Sequence, residues 1–315
     1  MAGSWRRIHY GLRPAKSVER KLMAEGLSRL DRLEPLERFR YVGMGSLYFA
    51  DFSLFHRRLG LAEMHSIEDE DDVALRERFE ANRPFDTKLH FEHTNAALPR
   101  LFKPGESPAI AWLDYDNRLD SAMLSDAALI VSSATAPTVL AVTANVEPGA
   151  PGTRRDKLAD AVGDDLVPAW VAKETHLSGD QTRMACYDIL IGRVEAALRA
   201  RNGSLADVAD AVSFRQLFHF AYSDGARMFT VVGVLHSAAQ TAALDACVFG
   251  TLPYHRSGAD PFRIVVPMLT TRETLALDAQ LPGAATPTLR GVSASDCEAY
   301  ARLYRYLPSY VDAEL

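Results

Sequence analysis

Val18, Leu22, Met23, Leu27 and Leu30 line one face at helical spacing with charges between them, which predicts a helix over 15–33. After the break at Pro35 the pattern changes to short apolar runs. F-R-Y-V-G-M-G-S reads as a first strand entering a glycine turn, and F-A-D-F-S-L-F-H-R-R-L-G as the following helix, closed by Gly60. E-M-H-S-I-E is a second strand ending at Glu68, and A-L-R-E-R-F-E-A-N is a helix stopped before Pro84. D-T-K-L-H-F-E is a third strand, running into His93, Thr94 and Asn95, and A-A-L-P-R-L starts a short helix. A-I-A-W-L-D is a fourth strand ending at Asp114, residues 120–134 are helical, and T-V-L-A-V-T-A-N-V is a fifth strand that delivers Asn145 to a loop of Pro and Gly.

Strand and helix alternate, so the sheet is parallel, and the polar residues that end its apolar strands fall on the carboxyl edge, where ligands of open α/β folds bind. The helical stretch over 154–203 is longer than one crossover helix and predicts a helical cap at about 150–210. Q-L-F-H-F-A-Y and R-M-F-T-V-V-G-V-L flank S-D-G-A, a hairpin signal that sets the last strand antiparallel to its neighbour. Beyond Ser237 the pattern gives a helix to about 248, a strand near 262–266, and helices near 271–280 and 293–304. Together these elements make an α/β, Rossmann-like three-layer sandwich. Its sheet is mostly parallel and seven-stranded with one antiparallel hairpin strand, and it carries an extra N-terminal helix and a helical insertion. The expected organisation is an N-terminal helical extension over 1–37, a main domain over 38–236 and a C-terminal extension over 237–315 packed on the same core.

Composition narrows the functions. Of 315 residues 48% are apolar and 24% charged, an ordinary balance for a folded domain, and the net charge of -6 argues against nucleic-acid binding by the surface as a whole. Residues 1–40 run the other way, with Arg6, Arg7, Arg13, Lys16, Arg20, Lys21, Arg29, Arg32, Arg38 and Arg40. Such a run usually marks a solvated helix face. Arg13, Lys16 and Arg20 nevertheless share one face, which would clamp a phosphate if it overhung a ligand mouth. Cys186, Cys247 and Cys297 are far apart with no C-x-x-C pair, so neither a zinc site nor a disulfide framework is expected, and a reducing cytoplasm suits the chain. No window reaches the about 18 apolar residues that span a bilayer, so export and membrane insertion are not expected.

Residues 38–235 resemble the class I S-adenosylmethionine-dependent methyltransferases, and within them the catechol-type O-methyltransferases. Gly43-Met44-Gly45-Ser46 resembles the glycine loop on which the cofactor's methionine part lies, and Glu68, with Asp69 beside it, resembles the acid that accepts hydrogen bonds from the ribose. H-T-N-A-A-L-P-R-L resembles the adenine-side loop, which makes Thr94 and Asn95 candidate base contacts. W-L-D-Y-D-N-R-L and V-T-A-N-V-E-P-G-A-P resemble the fourth- and fifth-strand motifs, which implies roles in catalysis for Asp114, Asp116 and Asn145 and a cofactor contact for Asp114. In the metal-dependent members an Asp from the fourth strand and an Asp-Asn pair from the fifth hold magnesium, so the resemblance implies Asp114 and Asn145 as ligands, with Ala144 where the second carboxylate belongs. Tyr41 stands in place of the customary acid before the first glycine, and Leu47 in place of the third small residue. R-P-A-K-S-V-E-R-K ahead of Y-V-G-M-G-S-L-Y-F-A-D-F also resembles a group of uncharacterised bacterial proteins labelled O-methyltransferases.

Plainer readings stand beside these. Gly-x-Gly is also a close-packed turn, Asp69 to Asp72 suit the N-terminus of a solvated helix, His93 suits a loop bonded to backbone, and His219, His236, Trp112 and Phe49 suit the core. The fourth strand lacks the Asn/Asp-Pro-Pro-Tyr motif of enzymes that methylate base amino groups, which disfavours that chemistry. The expected cofactor is S-adenosylmethionine and the expected partner a small-molecule or nucleotide acceptor, with a protein partner or second copy as a further expectation. Two other functions fit the pattern: a methyltransferase-shaped binding or assembly subunit, and a nucleic-acid or nucleotide methyltransferase that uses the basic first helix.

Overall fold

A computed structural model describes residues 13–205, 207, 210–284 and 286–308. Arg6 and Arg7 of the basic run lie outside these residues. The described residues open with helix α1 (Pro14–Leu27) and then build β1 (Arg40–Gly43), α2 (Ala50–Leu59), β2 (Met64–Ile67), α3 (Val73–Asn82), β3 (Lys88–His90), α4 (Thr94–Leu101), β4 (Ala109–Arg118), α5 (Ser121–Ser133) and β5 (Thr138–Asn145). Helices α6 (Arg154–Val162) and α7 (Gln181–Gly203) precede the hairpin β6 (Val212–Ser223) and β7 (Arg227–Ser237), and α8 (Thr241–Ala246), β8 (Phe262–Ile264), α9 (Thr271–Asp278) and α10 (Ala294–Leu303) follow.

The strands form one sheet in the order β3-β2-β1-β4-β5-β7-β6-β8, parallel except where β7 runs against both β5 and β6. This is the Rossmann-like class I methyltransferase topology expected, with one strand more than the seven counted from the sequence. The addition is β8, three residues paired with β6 through Phe220↔Phe262 and Tyr222↔Ile264. Two further expectations are corrected. β4 does not end at Asp114 but runs on to Arg118 past an irregularity in its pairing with β5, and the helical cap breaks between α6 and α7. Gly163, with φ of 100°, and Pro168 account for that break.

Alternation along each strand separates two cores. Tyr41, Ile110, Trp112, Val139 and Ala141 face α1 and α2, whereas Val42, Ala111, Leu113, Leu140 and Val142 face α4, α5 and α7. The N-terminal helix belongs to the first core: Val18, Leu22, Met23 and Leu27 are buried against it. A Cβ at Gly26 would overlap the Phe218 ring of β6, so glycine there permits the close approach of helix to sheet.

The start of α1 is fixed from far along the chain. Pro14 takes the first helical position, and Asp224, in the turn between β6 and β7, accepts hydrogen bonds from the backbone amides of Ala15 at 3.1 Å and Lys16 at 2.8 Å. A carboxylate there satisfies two open amides and complements the positive end of the helix dipole. We therefore expect Asp224→Ala to lower stability by about 1 kcal/mol, read as a lower urea midpoint at unchanged slope.

Candidate active site at the carboxyl edge of the sheet

The turn after β1 is tightly folded. Ser46 and Phe49 hold left-handed backbone conformations, with φ of 48° and 41°, and a Cβ at Gly45 would overlap the Phe49 ring and meet Ser66 Oγ at 3.0 Å. The close-packed turn is thus real, and it also gathers polar groups. The Gly45 amide donates to Ser66 Oγ at 2.9 Å and to Glu68 Oε1 at 3.0 Å, and the Ser66 hydroxyl donates to the same carboxylate oxygen at 2.6 Å. Burial pushes the Glu68 carboxyl up to about 8, although hydrogen bonds from Ser66 and Gly45 pull the other way. Asp69, next along, is exposed.

Further along the edge, Thr94 and Asn95 begin α4. The His93 side chain caps that helix on the Asn95 amide, the backbone role expected of it. Thr94 is half-buried against Tyr115 of β4, whose hydroxyl donates to Asp126 at 2.6 Å, and Asn95 is exposed.

Asp114 leaves β4 on the α1 side, and the basic face of α1 meets it. The reading of that face as solvated is wrong: Lys16 is 0% exposed and Arg13 and Arg20 are each 7% exposed. The Lys16 ammonium donates to Asp114 Oδ1 at 2.6 Å, pairs with Glu19 Oε2 at 2.8 Å, and lies 4.3 Å from the centre of the Trp112 ring. Glu19 is held in turn by Thr230, whose hydroxyl is 2.7 Å from that of Thr143, and the Trp112 indole N–H donates to Thr143 at 2.9 Å. Arg13 pairs with Asp116 at 3.5 Å. Arg20 is the counter-charge for Asp51 of α2. Burial raises the Asp51 carboxyl against the pull of that guanidinium, and the Tyr41 hydroxyl donates to the same carboxylate. Tyr41, which replaces an acid in the sequence pattern, therefore reaches a carboxylate supplied by α2.

Magnesium does not fit these residues. The Asp114 oxygen that would face it carries the Lys16 ammonium, and Asn145 Oδ1 accepts the Glu147 amide at 2.8 Å. Ala144 packs with Leu113 and Phe229 in the opposite core, so even a carboxylate at that position would point away. No group of three acids, histidines or cysteines able to hold a metal occurs among the described residues.

Residues 8–315 match the family described as "Putative O-methyltransferase". The chain belongs to that family. Its membership agrees with the methyltransferase resemblance read from the glycine turn and strand ends. Among solved structures, Trm1 from Pyrococcus horikoshii bound to S-adenosyl-L-methionine is 12% identical with a TM-score of 0.44, over 73% of this chain and 57% of Trm1. The chain therefore spans little more than half the length of that protein. The O-methyltransferase TomG from Streptomyces achromogenes, of tomaymycin synthesis, is 13% identical with a TM-score of 0.36, over 70% of this chain and 90% of its own. An O-methyltransferase from Bacillus cereus in complex with SAH is 12% identical with a TM-score of 0.33, over 70% and 90%. No curated protein matches the sequence.

In this O-methyltransferase family member the structure brings Gly45, Ser46, Glu68 and Asp114 to one edge and leaves Asp69 and Asn95 on the surface. Sequence reasoning missed Glu19, Asp51, Ser66, Tyr222 and Thr230. A signal existed for two of them: Asp51 interrupts F-A-D-F on an apolar helix, and Glu19 follows Lys16 by three positions. Ser66, Tyr222 and Thr230 lie within apolar strands and carry no signal without the fold.

Two measurements follow. Lys16→Met strands two carboxylates without their counter-ion, and we expect a loss of about 3–5 kcal/mol in urea unfolding. Because the folded state raises the Glu68 carboxyl from 4.5 to about 8, its protonation favours folding. That contribution is complete below about 4.5 and lost as pH rises through about 8. Stability measured across that window should therefore fall more steeply for the wild type than for Glu68→Gln.

Proposed function

We propose that this protein is an S-adenosylmethionine-dependent methyltransferase that acts on an oxygen of a small-molecule acceptor. The observation that carries the reading is the convergence of the Gly45 amide, Ser66 and Glu68 within hydrogen-bond reach at the carboxyl edge, beside Asp51 and Asp114. Glu68 is a buried carboxyl at the end of β2, and donors from ribose hydroxyls would favour its ionised form. The Tyr222 hydroxyl and the Arg20 Nε are buried without a hydrogen-bond partner, which suits a ligand with polar ends. When bound, the cofactor supplies a methyl group on a positively charged sulfur.

The residues divide the remaining work. The glycine turn and Glu68 orient the cofactor, with Thr94 and Asn95 on the adenine side. Asp114 and Asp116 face the acceptor, and Asp114 takes the proton of its hydroxyl as the oxygen bonds the methyl carbon. The cofactor, which the glycine turn and Glu68 would hold, would supply that methyl carbon and keep the electron pair of the bond it gives up. Holding the two reactants in line supplies most of the rate. We read 38–236 as the catalytic unit, with 1–37 and 237–315 completing the same core and 150–210 covering the acceptor. Three buried free cysteines support a cytoplasmic setting. No helix among the described residues is long and apolar enough to cross a membrane.

One observation favours a second reading, a methyltransferase-shaped binding or assembly subunit: the Gly45 amide and the Asp114 carboxylate are already engaged within the chain. Calorimetry with S-adenosylhomocysteine separates the two. We expect binding that tightens as pH rises towards about 8 and then levels, with Glu68→Gln weaker and independent of pH. No heat of binding at millimolar ligand from a folded sample would leave the assembly reading in possession.

A further inference from the structure

The disagreement between the expected magnesium ligands and their surroundings has a physical cause in α1. We propose that the Lys16 ammonium is the resident cation of this site, a positioning residue that holds Asp114 in the cleft and makes the site independent of a divalent metal. The inference deepens the methyltransferase reading and rests on it for the identity of the cleft.

Three observations carry it. First, two carboxylate oxygens from different elements converge on one point: Asp114 Oδ1 at 2.6 Å and Glu19 Oε2 at 2.8 Å from Lys16 Nζ. That is a cation site by geometry, and it is filled by the chain itself. Second, the ammonium is confined. It is fully buried, with the Trp112 ring centre 4.3 Å and the Tyr222 ring centre 5.6 Å away, and both faces attract positive charge. Its backbone is fixed by Asp224 and its partner Glu19 by Thr230, so neither end is free to swing aside. Third, Asp114 keeps 18% side-chain exposure while Lys16 and Glu19 keep none. Of the three charged groups only the aspartate keeps an exposed surface, so the cation acts on a ligand through Asp114 and not by contact.

A metal ion would need the point that Nζ occupies. An ion held by oxygens at about 2.0–2.6 Å cannot share it with an ammonium at 2.6 Å from Asp114. Removing the ammonium while keeping both acids should turn the site into one that takes a divalent cation, because two carboxylates and the water admitted by the lost side chain form an oxygen donor set.

The test is Mn²⁺ binding to the full-length protein, followed by electron paramagnetic resonance. We expect the wild type to take up no Mn²⁺ at this site, and to bind S-adenosylhomocysteine with the same affinity in EDTA as in millimolar Mg²⁺. Lys16→Ala, checked for folding by circular dichroism, should bind one Mn²⁺ at least tenfold more tightly than the wild type, and Lys16→Ala/Asp114→Asn should lose that gain. A folded Lys16→Ala protein without the added Mn²⁺ site overturns the proposal. So does a wild-type Mn²⁺ site that disappears in Asp114→Asn, or a wild-type affinity for S-adenosylhomocysteine that falls more than threefold in EDTA. Should Lys16→Ala not fold, these wild-type measurements decide. If S-adenosylhomocysteine does not bind at all, the methyltransferase reading fails while the Mn²⁺ comparison still reports on Lys16.

Discussion

A lysine ammonium fully enclosed by protein, bonded to one acid from the sheet and one from its own helix, fixes the relation between the first helix and the carboxyl edge of the sheet. Desolvating an ion is expensive, and attraction to a partner offsets it only when the geometry is good. Here the geometry includes two carboxylates and two aromatic faces around Lys16. The same requirement explains the threonine pair behind Glu19: a buried carboxylate needs donors, and Thr230 is one. Replacing any member without the others would strand a charge, so helix, β4 and the late hairpin are locked as one unit.

The electrostatics of the rim follow from that lock. Arg13 just ahead of α1, and Lys16 and Arg20 on it, face Asp116, Asp114 and Asp51 respectively, so positive charge from one segment is spread over acids from β4 and α2. Glu68 is different: its carboxyl is met by hydrogen-bond donors from Ser66 and Gly45, and burial raises it against their pull. The edge thus holds acids of two kinds, some kept company by fixed positive charge and one left to respond to what binds.

Much of this was legible in the chain. The alternation of apolar runs and helical faces marked the first seven strands of the sheet, and Asp-Gly between two apolar runs marked the antiparallel hairpin, whereas three residues of β8 were too few to place in the sheet without its pairing to β6. Glu68 and Asp114 were visible because a charge that ends an apolar strand has few places to go. The failure was instructive: a basic helix was read as solvated because charge runs usually are, and periodicity cannot report that acids from β4 and α2 wait opposite. Ala144 carried a usable warning, since a missing acid in the ligand pattern spoke against magnesium. The extension of β4 past Asp114 was hidden because Tyr115, Asp116 and Asn117 look like loop residues, and pairing with β5 overrides that preference.

The bond from the hairpin turn to the first helix carries a consequence for how the molecule is made. Ala15 and Asp224 are 209 residues apart in the chain, so a ribosome adding about 5–20 residues per second needs roughly 10–40 s between them. Through that interval the helix emerges without its anchor and its ammonium without Asp224 to steady the backbone beneath it. The rim beside α1 is therefore a late product of synthesis, closed only when the second half of the protein returns to clasp the first.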